Sequence, residues 1–204
     1  ITNDKIVPFC QGIVNQEQEI IKYEMLMRMK DKDENGNAIY LSPFKFLDIS
    51  VKTKQYLTLS SLMIDKSLDL LDKTDKLLSI NISFLDIDDL NFIDFLDEKI
   101  EKIKKTDLPR IVFEILESDN ITDYDIFEEF IAKYRKKGIK IAIDDFGTGY
   151  SNFSHIMKIR PDYLKIDASL IRYIDKDKDS YELVKSIVAF SRTLNMKTIA
   201  EFVH

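Results

Sequence analysis

Cysteine occurs once, as Cys10, which excludes a disulfide framework and any metal site built from clustered thiolates. A single thiol suits a reducing compartment. No run of about 18 uncharged apolar residues exists, so no membrane-spanning helix is expected. The opening residues, ITNDKIVPFC, lack a charged head followed by an apolar core, so no secretory signal is read there. The first residue is not Met, and the sequence is expected to be a piece of something longer. Glycine is scarce, five in 204 residues, and two of them, Gly147 and Gly149, fall in one short stretch. There is no short-period repeat, low-complexity tract or Pro/Gly/Ser-rich linker, so the length suits one domain, residues 1–204. Positive charge is also in deficit, 30 basic against 36 acidic residues, for a formal net charge of −6. That balance argues against binding DNA or other nucleic acid by general charge attraction. A phosphate ester is still a fitting ligand if a cation stands between it and the protein.

Of the residues present, 45% are hydrophobic and 32% charged, which excludes extended disorder. Apolar strand-like runs alternate with amphipathic helix-like runs. Strands are predicted at Ile6–Val14, Ile20–Met29, Leu77–Ser83, Arg110–Glu117, Lys140–Asp145, Tyr163–Asp167 and Lys197–Val203. Helices are predicted at Asp94–Lys105, Asp125–Lys137 and Asp179–Leu194, with two more inside Ser42–Lys73, and Gly138 is a candidate left-handed cap. Strand–helix alternation implies a parallel α/β sheet, since parallel neighbours need a crossover. The near-continuous apolar runs IVFEIL and IKIAI imply cover on both faces. A closed (β/α) barrel and an open doubly wound sheet both satisfy the pattern. The first two strands depart from it, because NQEQE is long enough only for an antiparallel hairpin.

The chemistry is carried by polar groups inside apolar strands: Glu24, Asn81, Glu114, Asp144, Asp145, Lys165 and Glu201. Carboxylates are seldom buried without a partner. Here they recur in strand after strand, near or beyond the middle of each run. In a (β/α) barrel such positions converge on one mouth. Carboxylates and an amide together suit a hard divalent cation. Unrelated surface salt bridges are the bland alternative. The stretch DDFGTGY, Asp144–Tyr150, adds two adjacent acids whose side chains should diverge at a strand end. Its glycines then allow a tight turn near a ligand.

The motifs FCQGIVN (Phe9–Asn15), YEMLMR (Tyr23–Arg28), SPFKF (Ser42–Phe46) and SINIS (Ser79–Ser83) follow one another along the chain. FEILES (Phe113–Ser118), DDFGTGYSN (Asp144–Asn152), RPDYLKID (Arg160–Asp167) and IAEFVH (Ile199–His204) complete the series. In this order the chain resembles the EAL domain, the bacterial phosphodiesterase domain that linearises cyclic di-GMP. The resemblance implies a modified TIM-type (β/α) barrel with an antiparallel first strand, here without its last helix and eighth strand. It implies that Glu24, Asn81, Glu114 and Asp144 hold one metal, and that Asp144, Asp145 and Glu201 face a second. Mg²⁺ or Mn²⁺ is the implied pair of ions, because that shell has no Cys or His. Lys165 would sit beside the attacking water and, with Glu201, serve catalysis. Gln11, Leu26, Arg28 and Asp167 would line the substrate, and Glu117 would anchor the glycine loop. The implied reaction is hydrolysis of cyclic di-GMP to linear pGpG, with a weakly active or inactive cyclic di-GMP receptor as the alternative. A homodimer, regulatory or GGDEF-type neighbouring domains and a cytoplasmic location belong to the same expectation, whether or not the parent protein is membrane-anchored.

The sequence departs from the family pattern at several points. Met25 stands for Ala in the name motif, Gly12 for Pro, and the AEGVE segment reads Ala200-Glu201-Phe202-Val203-His204. The AEET segment reads Ser50-Val51-Lys52-Thr53. Two decoys are set aside. Asp31–Gly36 opens like a calcium loop, but its twelfth position is Ser42 rather than Glu, so it reads as a solvated turn. His155 reads as a helix-face histidine, and no Ser/His/Asp order supports serine hydrolysis.

Overall fold

A computed structural model of the chain describes residues 5–116, 123–147 and 153–203. The chain divides into two units, the first reaching to Val112 and the second starting at Phe113. The fold class is α/β, as expected, with the first strand antiparallel, a second short antiparallel hairpin, and parallel pairing between later strands.

In the first unit β1 (Ile6–Val14) and β2 (Ile20–Lys32) form an antiparallel hairpin. Its connection is closed by the Asn15 N–H on the Glu19 carbonyl at 3.0 Å and the Glu19 N–H on Asn15 Oδ1 at 2.8 Å. Asn in such a turn substitutes its side chain for a backbone acceptor. β2 outruns its predicted end at Met29 and pairs with β3 (Ala38–Leu41), a short strand the sequence pattern did not single out. Asp33 closes that second hairpin, accepting from the N–H groups of Asn35 at 2.9 Å and Asn37 at 2.8 Å. These bonds, the Asn37 side chain foremost, hold the Asp33 carboxyl below its ordinary value. β4 (Leu77–Asn81) lies parallel to β2 on its other edge, with Glu24 opposite Ser79.

Two helices, α1 (Leu47–Lys52) and α2 (Tyr56–Leu68), fill the segment where two were expected. α2 buries Leu59, Met63 and Ile64 and caps the strand end through Lys66 Nζ, which donates to the Ile6 carbonyl at 2.6 Å. The short α3 (Phe84–Ile87) follows β4, and α4 (Leu90–Glu101) buries Phe92, Leu96 and Ile100 at helical spacing. Asp89 caps α4 by accepting from the Phe92 N–H at 2.9 Å.

In the second unit the hydrogen-bonding order is β5 (Ile111–Leu116), β6 (Lys140–Phe146), β7 (Tyr163–Ile166) and β8 (Lys197–Ala200). β5 itself begins two residues before the division. All four residues of β7 are buried, as a strand covered on both faces must be. α5 (Tyr124–Lys136) stacks Phe130 and Tyr134 on Phe113 of β5, with ring centroids 5.9 and 5.3 Å away. It ends at Gly138 in the left-handed conformation (φ +97°), the expected cap, with the Gly138 N–H bonded to the Arg135 carbonyl at 2.9 Å. α6 (Phe153–Ile159), α7 (Ala168–Ile171) and α8 (Lys178–Thr193) complete the unit.

β8 stops at Ala200, shorter than expected, because the chain bends at Glu201 and Phe202 adopts φ +55°. Among the described residues β8 pairs with β7 alone, so it is an edge, as the strand count implied. No described helix is long and apolar enough to cross a membrane.

Candidate metal and catalytic site

The C-terminal ends of β5 to β8 gather four of the expected site residues around one ammonium. Lys165, 1% exposed in the middle of β7, places Nζ 2.8 Å from Asp144 Oδ1, 2.8 Å from Glu201 Oε1 and 3.2 Å from Glu114 Oε2. Glu114 in β5 and Asp144 in β6 are buried, and Glu201 sits just past β8, its N–H on the Ile166 carbonyl at 3.2 Å. A lysine in an apolar strand is costly unless carboxylates surround it, which is what the neighbouring strands supply.

Asp145 joins the group by a route that strand alternation does not allow. β6 and β7 pair as Ile143 with Leu164 and then Phe146 with Ile166, so Asp144 and Asp145 together face the single residue Lys165. That is a β-bulge, and Asp145 takes φ +53° within it. The adjacent acids were expected to diverge. With the bulge they do not: Asp144, Asp145 and Glu201 each offer an oxygen within 4.8 Å of the others. Burial, then the Asp144 and Asp167 carboxylates, hold the Asp145 carboxyl above its ordinary value against the opposing Lys165 ammonium. Four carboxylates against one ammonium leave a formal excess of three negative charges, and all the donors are hard oxygens. A divalent cation that prefers oxygen ligands fits that set.

Two flanking features shape the site. Asp167 follows β7 and caps α7 by accepting from the Ser169 N–H at 2.7 Å. Gly147, after the bulge, has φ +105°, and a Cβ there would meet Leu170 Cδ1 at 2.6 Å. The turn therefore favours glycine for its conformation, and a larger residue would also have to push the Leu170 side chain aside. Glu117, Gly149 and the rest of the glycine loop lie outside the described residues.

In the first unit the expected ligands and substrate contacts sit on β1, β2 and β4. Gln11 faces Glu24 across the hairpin, Leu26 faces Phe9, and Arg28 faces Val7. Glu24 and Ser79 are register partners, so Asn81, two residues on from Ser79, shares the face of Glu24. Arg28 Nη1 donates to the Met27 carbonyl at 2.8 Å, and its guanidinium lies 5.6 Å from the Phe9 ring centre. Asn81 is exposed at the end of β4.

The sequence reading missed one buried acid, Asp86, fully enclosed at the start of α3. Its signal was present: Ser83 and Asp86 have the spacing of a capping box, and the box forms in full.

A family model described as "EAL domain" matches residues 1–204. The chain belongs to the EAL domain family. The probable cyclic di-GMP phosphodiesterase PdeG of Escherichia coli (strain K12) is 29% identical over 208 residues, covering 98% of this chain and 40% of the relative. The cyclic di-GMP phosphodiesterase PdeA of Borreliella burgdorferi is 36% identical over 126 residues, 62% of this chain and 19% of the relative. The chain thus spans less than half the length of these curated relatives. Among solved structures, the EAL enzyme Bd1971 in its cAMP- and cyclic-di-GMP-bound form matches with a TM-score of 0.86 at 27% identity, covering 99% of this chain and 56% of that one. The EAL fold expected from the motifs is therefore the fold observed.

Proposed function

We propose that this EAL domain hydrolyses cyclic di-GMP to the linear dinucleotide pGpG in a reaction that depends on Mg²⁺ or Mn²⁺. The observation that carries the proposal is the oxygen-only cluster of Asp144, Asp145 and Glu201 beside buried Lys165. The names of the relatives support the substrate.

Glu24, Asn81, Glu114 and Asp144 would hold one cation, and Asp144, Asp145 and Glu201 a second, with Asp144 shared. Such ions supply an acidified water and neutralise charge on the phosphate. Lys165 cannot ligate a cation, since its ammonium carries only donors. From the centre of the cluster it can donate to the attacking water or to a phosphate oxygen. Glu201 contacts Lys165 at 2.8 Å and would also help to hold the second cation, so it would keep the ammonium close to that ion. Arg28, Gln11, Leu26 and Asp167 would receive the dinucleotide, and Glu117 would brace the loop after Gly147. The domain would act in the cytoplasm as one part of a larger signalling protein, alongside regulatory or GGDEF-type domains and as a homodimer.

One observation favours a receptor instead. Phe202, where the family motif has glycine, is held at φ +55° next to Glu201, which places a strained residue beside a proposed ligand. Purified full-length protein with cyclic di-GMP decides between them. The enzyme reading expects pGpG with Mg²⁺ or Mn²⁺ and none with chelator. Tight binding without product in either metal overturns it in favour of the receptor.

A further inference from the structure

Among the described residues of the first unit Asp86 is the one fully buried carboxylate, with no exposed surface at all. It belongs to none of the metal or substrate positions. Its Oδ2 accepts from the Ser83 N–H at 2.8 Å and from Ser83 Oγ at 3.0 Å. The Tyr56 hydroxyl of α2 lies 3.0 Å from the same oxygen and 2.8 Å from Ser83 Oγ, and the Ser60 hydroxyl of α2 also bonds the carboxylate. Asp86 Oδ1 has no hydrogen-bond partner.

A capping role alone does not account for this arrangement. A capping box stabilises a helix end only modestly. α3 is only four residues long. A buried carboxylate with one orphaned oxygen costs at least as much as such a cap returns. Burial accordingly holds the Asp86 carboxyl above its ordinary value despite its donors. The cap alone therefore does not explain an acid at this position, and the bonds it makes point to what it holds still.

It holds the turn that leaves β4. Ser83, gripped through both its N–H and its hydroxyl, is two residues past Asn81, and Ile82 between them is buried. Asn81 itself has no side-chain hydrogen bond among the described residues, so the backbone that the turn holds sets where its amide can reach. We propose that Asp86, with Tyr56, is a positioning residue that clamps the β4–α3 turn to α2 and so presents the Asn81 amide oxygen to a divalent cation. This rests on the metal role of Asn81 proposed above.

The test uses full-length protein, Mn²⁺ as the probe and calorimetric titration as the readout, with thermal melting in parallel. Asn81→Ala establishes the ligand. Asp86→Ala and Tyr56→Phe should each weaken Mn²⁺ binding, about tenfold for Asp86→Ala, as expected when a group orienting a ligand is lost. Asp86→Asn, which keeps an acceptor for Ser83 and Tyr56, should recover most of that affinity. Leu96→Ala, a core truncation in α4, controls for general destabilisation and should lower the melting temperature without a comparable loss of Mn²⁺. If Asn81→Ala weakens binding and Asp86→Ala does not, the positioning role is overturned while the metal reading stands. If Asn81→Ala leaves binding unchanged, the metal reading of Asn81 and the positioning role fall together.

Discussion

The two units bury acids in opposite ways. Around Lys165, Glu114 and Asp144 are compensated by a cation and are joined by Asp145 and Glu201, leaving negative charge in excess. Around Asp86 the donors are all neutral: a backbone N–H, three hydroxyls and nothing positive. The first arrangement gathers several acids around one cation and suits a cationic ligand. The second is a single acid tied by neutral donors into a turn, with its charge left unbalanced, and suits rigidity. Buried acids in one chain thus have to be read by what surrounds them rather than by burial alone.

The sharpest way to break this contrast is Lys165→Ala. It strips the Lys165 ammonium from Glu114 and Asp144, and losing one partner of a buried ion pair costs about 3–5 kcal/mol. Thermal melting in chelator should show that loss, and added Mg²⁺ or Mn²⁺ should restore the variant more than it raises the wild type. An unchanged melting temperature would mean that the cluster carries no internal charge strain. Asp86→Ala should cost less, about 1–3 kcal/mol, because it leaves neutral donors unpaired rather than charges. Divalent ions should rescue it far less than Lys165→Ala, as paired denaturant titrations with and without Mg²⁺ would show.

Phe202→Gly should act in the other direction. A bulky residue at φ +55° is held in a conformation that costs about 1–2 kcal/mol for an L residue. Glycine removes that cost but loses the contact with Arg172, whose guanidinium lies 5.0 Å from the ring centre. A net gain near 1 kcal/mol is expected. A loss of stability on melting would show that the ring contributes more than the backbone costs.

The smallest effect is a slope. The Asp86 carboxyl is raised above 3.8 in the folded state, so its ionisation disfavours folding. Wild-type protein should therefore lose stability relative to Asp86→Asn as pH rises from about 4 through the raised value, and regain it on acidification. A melting-temperature difference that does not move with pH would remove the charge from Asp86.

Much of this was legible beforehand, for physical reasons. β5, β6 and β7 are covered on both faces and so read as apolar runs, and the polar residues interrupting them were conspicuous. β3 was not legible, since four half-exposed residues after a polar turn have no periodicity of their own. The Asp144–Asp145 bulge was hidden as well, because alternation assumes an unbroken ladder, and it is the break that brings both acids to one place. Phe202 was not legible either, since nothing in its residue type announces the left-handed backbone (φ +55°) that it adopts.

The most direct measurement of the central claim is turnover of cyclic di-GMP by full-length protein carrying Asp144→Asn, beside the wild type, in Mn²⁺. Asp144 is the acid shared between both proposed ion sites and the direct partner of Lys165 at 2.8 Å. The account predicts pGpG from the wild type and a fall of at least about a hundredfold in the variant, with Mn²⁺ affinity reduced in the same protein. Wild-type turnover that survives in Asp144→Asn, or in chelator, would contradict it.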